Sequence, residues 1–178
     1  MTNVPFIIAG PGIHPRQKPV EDLLTQPTID LLPTLCELAG IPVPSSKPGI
    51  SLAPFLKGEK QKRQHPYAAS EWHSEYEVTV SPGRMIRSPR YKYTHYLEGN
   101  GEELYDMLKD KGERRNLAHD PKYSKILAEH RALLDDYIHR TQDDYRSLKV
   151  EADKRWRSHV PGYPNHEGPC ARDIINRK

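Results

Sequence analysis

The chain has 178 residues and a formal net charge of +3, with 27 Lys and Arg set against 24 Asp and Glu. The charges are interspersed, which describes a solvated surface and gives no call for nucleic acid. No apolar run approaches the roughly 18 residues of a membrane span, and no signal peptide is visible, a silence that leaves secretion open.

Taken in order, Val4 to Ala9 is a continuous apolar run closed by Gly10-Pro11-Gly12. It predicts a strand buried on both faces of a parallel sheet, with partners upstream. An apolar strand left without neighbours would invite self-association through Val4 to Ala9. After a polar loop, Val20 to Thr25 predicts a second short strand. Leu31, Leu35 and Leu38, with Leu32 beside them, paint one apolar face of a short buried helix that Gly40 closes. Asp30 is expected to cap that helix, which places Pro33 in its first turn. Ser51 opens a second short helix over Leu52 to Lys57, stopped by Gly58. The charged stretch Gln61 to Pro66 then marks a boundary between a portion covering residues 1–65 and a subdomain covering 66–145.

Beyond the boundary the pattern changes to strands. Tyr67 to Trp72 is one. Met85 to Arg87 and Tyr91 to Leu97 form a hairpin around Ser88-Pro89, with Tyr91, Tyr93, His95 and Leu97 on one face. Leu104 and Tyr105 belong to a further strand of a small antiparallel sheet. Asp120 and Pro121 start a long helix whose Tyr123, Ile126, Leu127, His130, Leu133, Leu134, Tyr137 and Ile138 follow the helical spacing and cover that sheet. Residues 146–178 are a basic tail punctuated by Pro and Gly. The fold class is α+β: the edge of a larger α/β sheet, then a four-stranded antiparallel sheet under a long helix.

Cys36, at a core spacing, and Cys170, in the tail, are expected to be free and non-catalytic. Glu71, His73 and Glu75 alternate around the end of the first subdomain strand, and two carboxylates flanking an imidazole can bind a metal, tune a base or serve a plain surface role. Arg87, Arg90 and Lys92, around the hairpin, are expected to be exposed or paired with carboxylates.

The pattern D-L-x-P-T-L-x-x-L-A-G-I-x-x-P, then G-x-S-L-x-P-x-L-x-G, resembles the sulfatase family of the alkaline-phosphatase superfamily. So do Val4-Pro5-Phe6-Ile7-Ile8-Ala9-Gly10-Pro11-Gly12, the run from Arg84 to Tyr93, and Glu103 to Ala118. In that family the C/S-x-P/A-S-R nucleophile motif, the calcium ligands and the catalytic Lys precede the first of these stretches. The resemblance therefore implies a C-terminal part of a sulfatase, inert alone. Calcium and formylglycine would belong to the complete enzyme and not to this chain, which supplies sheet completion and part of the substrate pocket. It also implies a sulfate ester or sulfamate substrate, on a sulfated sugar. Glu71 to Arg87 looks like the corresponding region of the heparan N-sulfatase-like branch, and on that likeness His73 and Arg84 are the substrate-contact candidates. A guanidinium suits a sulfate or carboxylate because it donates two parallel hydrogen bonds. Asp106, Asn116 and Leu117, in the Y-D-x-x-x-D-x-x-E-x-x-N-L-A stretch, are expected to be structural. For the parent enzyme a periplasmic or extracellular place is open. Two rivals stand beside this reading: a phosphonate or phosphate ester hydrolase of the same superfamily, and a free-standing glycan- or protein-binding module.

Overall fold

Helix α1 runs over Pro27–Leu38 with Gln26 as its cap residue and Pro27 at its first position. A computed structural model describes it, along with the rest of residues 5–15, 20, 23–45, 48–60, 65–72, 82–97 and 101–147. The chain divides into two units, residues 1–68 with 87–89 and residues 69–86 with 90–178.

In the first unit, α1 starts earlier than Asp30 and Pro33 lies inside it, not in its first turn. Asp30 instead sits one turn in and fully buried. Its Oδ2 accepts the Gln26 N–H at 2.7 Å, while Oδ1 accepts the Ile50 N–H at 2.8 Å and pairs with His65 Nε2 at 2.7 Å. One turn on, the Thr34 hydroxyl donates to the Asp30 carbonyl at 2.6 Å and accepts the Leu52 N–H at 3.0 Å. The leucine face predicted to be buried is therefore the exposed one: Leu31, Leu32 and Leu35 are 40%, 44% and 51% exposed, while Asp30, Pro33 and Thr34 are buried. The physical reason is that the Ile50 and Leu52 N–H groups need acceptors, and the Asp30–Thr34 side of α1 supplies them. Helix α2, Ala53–Leu56, is a single turn opened by the Ser51 hydroxyl, which accepts the Ala53 N–H at 3.1 Å.

The apolar run near the N-terminus forms no strand over Pro5 to Ala9, and Ile7 is 86% exposed. Val4 lies outside the described residues. Nor do residues 20 and 23–25 form one. A strand is held by a ladder to a neighbour, and among the described residues no strand pairs with either run.

In the second unit, β1 (Ala68–Trp72), β2 (Gly83–Arg87), β3 (Tyr91–Tyr96) and β4 (Glu102–Asp106) form a four-stranded antiparallel sheet in the order β1-β2-β3-β4. The register of β3 with β4 pairs Tyr93 with Leu104 and His95 with Glu102. Asp120 accepts the Lys122 N–H at 3.1 Å to start a short 3-10 turn, which leads into α3 over Ser124–Thr141. Leu127, His130 and Leu134 of α3 are buried, along the predicted stripe. The alternation of β3 aims its odd residues at this side of the sheet. The Tyr91 ring meets His130 edge-on at 5.7 Å, and the Tyr93 hydroxyl donates to Glu102, which is also held by Arg131 of α3.

The loop after β4 is built as the sequence suggested. Asp106 accepts the Leu108 N–H at 3.2 Å and two N–H groups of Arg90 at 3.1 and 2.7 Å. The Asn116 side chain accepts the Leu104 and Ala118 N–H groups and donates to the Glu102 carbonyl, each at 3.0 Å, and Leu117 is buried behind it.

Candidate functional site

Arg84 stands at the second position of β2, where alternation turns it to the α3 side of the sheet, opposite to Gly83. Only 5% of it is exposed. Nε and Nη2 donate to the two oxygens of Asp143 at 2.6 and 2.9 Å. Nη1 donates to the Trp72 carbonyl at 3.2 Å and the Gly83 carbonyl at 2.9 Å. Four of its five N–H donors are thus taken up by protein acceptors. Its guanidinium lies 4.4 Å from the centre of the buried Tyr145 ring. A side chain expected to reach outward for an anion is, in this geometry, an internal anchor.

The electrostatics follow. Burial alone would lower the Arg84 pKa, but the hydrogen bonds and charge of Asp143 outweigh it and hold the guanidinium above its ordinary value. Asp143 is pulled below the usual carboxylate value by Arg84, with burial opposing. Removing either member would leave the other charge buried and alone, which is the costly way to break such a pair. Asp143 also accepts the Tyr145 N–H at 3.0 Å. The Tyr145 hydroxyl, pushed up to about 12 by burial, donates to the His95 carbonyl at 2.9 Å and sits 2.8 Å from His95 Nδ1. With the hydroxyl hydrogen given to the carbonyl, Nδ1 carries the imidazole proton. Burial lowers the His95 pKa, and it does the same to His130, whose Nδ1 donates to the Ile126 carbonyl at 2.8 Å.

Of the triplet around the end of β1, Glu71 is exposed and accepts the Tyr137 hydroxyl at 2.5 Å. His73 and Glu75 lie outside the described residues. Arg90 pairs with Asp106 at 2.7 Å and Lys92 with Glu113 at 2.5 Å, as expected for these cations. Cys36 is a free thiol, half-buried on α1, and Cys170 lies outside the described residues. Among the described residues no group of three His, Cys, Asp or Glu could hold a metal ion. Sequence reading missed Asp143 and Tyr145 as partners of Arg84, and His95 as the partner of Tyr145. The ion pair closes across 59 residues, and no local periodicity links its two ends.

Residues 1–140 match the family model described as N-sulphoglucosamine sulphohydrolase, C-terminal. The whole chain is 76% identical to a Delta 4,5-hexuronate-2-O-sulfatase of Bacteroides thetaiotaomicron, and it spans 37% of that relative's length. The solved structure of a 2-O GAG sulfatase aligns over 93% of the chain and 36% of its own at a TM-score of 0.79 and 76% identity. A protein solved in complex with its substrate D-glucosamine-2-N,6-O-disulfate aligns over 67% of the chain and 25% of its own, with a TM-score of 0.60 and 27% identity.

Proposed function

The chain belongs to the family of N-sulphoglucosamine sulphohydrolase C-terminal regions, and from that premise we propose that it is the C-terminal part of a sulfatase acting on a 2-O-sulfated Δ4,5-hexuronate. The observation that carries the reading is 76% identity over all 178 residues to the Bacteroides thetaiotaomicron enzyme of that activity. The family model over residues 1–140 carries the N-sulphoglucosamine sulphohydrolase description, and what favours a 2-O-sulfated hexuronate over an N-sulfated glucosamine is the 76% identity over the whole chain.

In this reading, the chain contributes a wall of the pocket and a packing surface. His73 follows β1 directly and is the side chain assigned to the sugar. Leu31, Leu32 and Leu35 of α1 are the apolar residues on which the preceding part of the enzyme would pack. Nucleophilic chemistry is assigned elsewhere. Cys36 in T-L-C-E-L and Cys170 in P-C-A-R-D do not lie in a formylglycine motif. Calcium, where the complete enzyme uses it, is assigned to the preceding part, since among the described residues no group of three His, Cys, Asp or Glu could hold a metal ion.

Assaying the complete enzyme on a 2-O-sulfated Δ4,5-unsaturated disaccharide, on N-sulfoglucosamine and on a phosphonate monoester tests the proposal. Preferential sulfate release from the first supports it. Turnover of N-sulfoglucosamine or of the phosphonate in preference would contradict it.

A further inference from the structure

We infer that the loop after β4 and the turns that start α3, Lys109 to Lys125, form a second binding surface of this enzyme, for the sulfated sugar chain beyond the unit that loses its sulfate. The inference rests on the reading above that the substrate belongs to a sulfated glycan. Over these residues the sequence sets six cations, Lys109, Lys111, Arg114, Arg115, Lys122 and Lys125, against the three anions Asp110, Glu113 and Asp120. Along the chain the two signs are mixed, but in the structure they separate by depth. All six cations are exposed and all three anions are half-buried.

Each carboxylate faces into the loop and holds it. Asp110 Oδ2 accepts the Arg114 and Arg115 N–H groups at 2.8 and 2.9 Å, and these backbone donors hold its carboxyl below the usual carboxylate value. Glu113, at a φ of +54°, pairs with Lys92 of β3 at 2.5 Å. Asp120 accepts the Lys122 N–H at 3.1 Å and the Arg115 guanidinium at 3.0 Å, yet Arg115 stays 74% exposed. Buried Leu117 anchors the loop to β4 through its N–H, which donates to the Leu104 carbonyl at 2.8 Å. The cations therefore stand on a fixed backbone whose own anions are turned inward, and the field they present to solvent is positive. Guanidinium groups can meet a sulfate with two parallel hydrogen bonds, and the lysines add point charges along a polymer. A lipid surface fits less well, because binding there is strengthened by apolar side chains that enter the headgroup boundary. Among the described residues of the second unit, Leu108 alone is an exposed large hydrophobic. Exposed ion pairs are individually weak and screened by salt, so the surface works by their number and at low ionic strength.

The test uses the complete enzyme as wild type, as Arg114→Gln/Lys122→Gln/Lys125→Gln, and as Lys57→Gln/Lys60→Gln/Arg140→Gln, which removes the same charge from exposed positions elsewhere. Binding of a long heparin oligosaccharide and of phosphatidylserine vesicles is measured at low and high salt, beside kcat/KM for the 2-O-sulfated Δ4,5 disaccharide. The first variant should bind the oligosaccharide about fivefold more weakly than wild type, by a margin that shrinks as salt rises, with kcat/KM for the disaccharide unchanged. The second variant should match wild type in both. Unchanged oligosaccharide binding in the first variant, equal weakening in the two variants, a lowered disaccharide kcat/KM in the first, or tighter binding of the vesicles than of the oligosaccharide overturns the surface. A wild-type enzyme that binds the oligosaccharide through this loop but releases no sulfate from the disaccharide overturns the substrate reading instead.

Discussion

The Cα of Gly49 lies against the carbonyl of Ile29, so closely that a Cβ at Gly49 would stand 2.1 Å from that oxygen. This carbonyl is the one that Pro33, four residues on and lacking an N–H, cannot bond within α1. The helix interior therefore has a gap in its ladder, and the chain returning after α1 fits into it at a φ of +121° that disfavours any side chain. Gly40 has a similar sign of φ, +68°, with open space around it. Gly49→Ala should destabilise the protein by about 1 to 3 kcal/mol, and by more than Gly40→Ala, which bears the backbone cost alone. Thermal unfolding of the two variants checks the order, and equal losses would show that the close approach to Ile29 is not felt.

Thr34 gives a second test of the same unit. Its hydroxyl is the acceptor for the buried Leu52 N–H and a donor to Asp30. Thr34→Val keeps the shape but leaves that N–H without an acceptor, at a cost of about 1 to 3 kcal/mol. Thr34→Ser, which keeps the oxygen, should recover most of the loss in denaturant unfolding. If Thr34→Ser is no more stable than Thr34→Val, the hydroxyl is not what ties α1 to α2.

Much of the second unit was legible in the sequence and the first unit was less so, for one physical reason. The stripe of α3 buries its apolar face within the chain, so period and burial agree there, while in β3 Tyr93 is buried together with its even neighbour Thr94. The leucines of α1 follow the same rule of spacing but stay exposed, because a pattern reports that a face is apolar and not what covers it. Asp106 and Asn116 could be read because their partners are a few residues away or on the adjoining strand. Arg84 could not. Its residue type suggested an anion, and only the closure of a contact with Asp143, beyond α3, shows that the anion is a carboxylate of the chain itself.

His95 and His130 predict a pH dependence of stability. Burial pushes both imidazoles below their ordinary 6.5. The unfolded chain then takes up protons before the folded one as pH falls, so their contribution is complete above pH about 6.5 and declines as pH drops toward the folded values. The melting temperature should fall between pH 7 and pH 5, and His130→Leu should flatten that slope. A slope identical in wild type and variant would remove His130 from the account. The depressed pKa of Asp143 acts in a separate window, since its contribution is present above the ordinary 3.8 and lost only as pH falls further.

The claim that this chain is the C-terminal part of a 2-O-sulfatase is tested most directly by exchange. The chain would replace its counterpart in the Bacteroides thetaiotaomicron Delta 4,5-hexuronate-2-O-sulfatase, to which it is 76% identical. Sulfate release from a 2-O-sulfated Δ4,5-unsaturated disaccharide would then be measured. A chimera that folds and releases sulfate at a rate within about tenfold of the intact relative is the predicted result. A folded chimera that binds no disaccharide and releases no sulfate would contradict it.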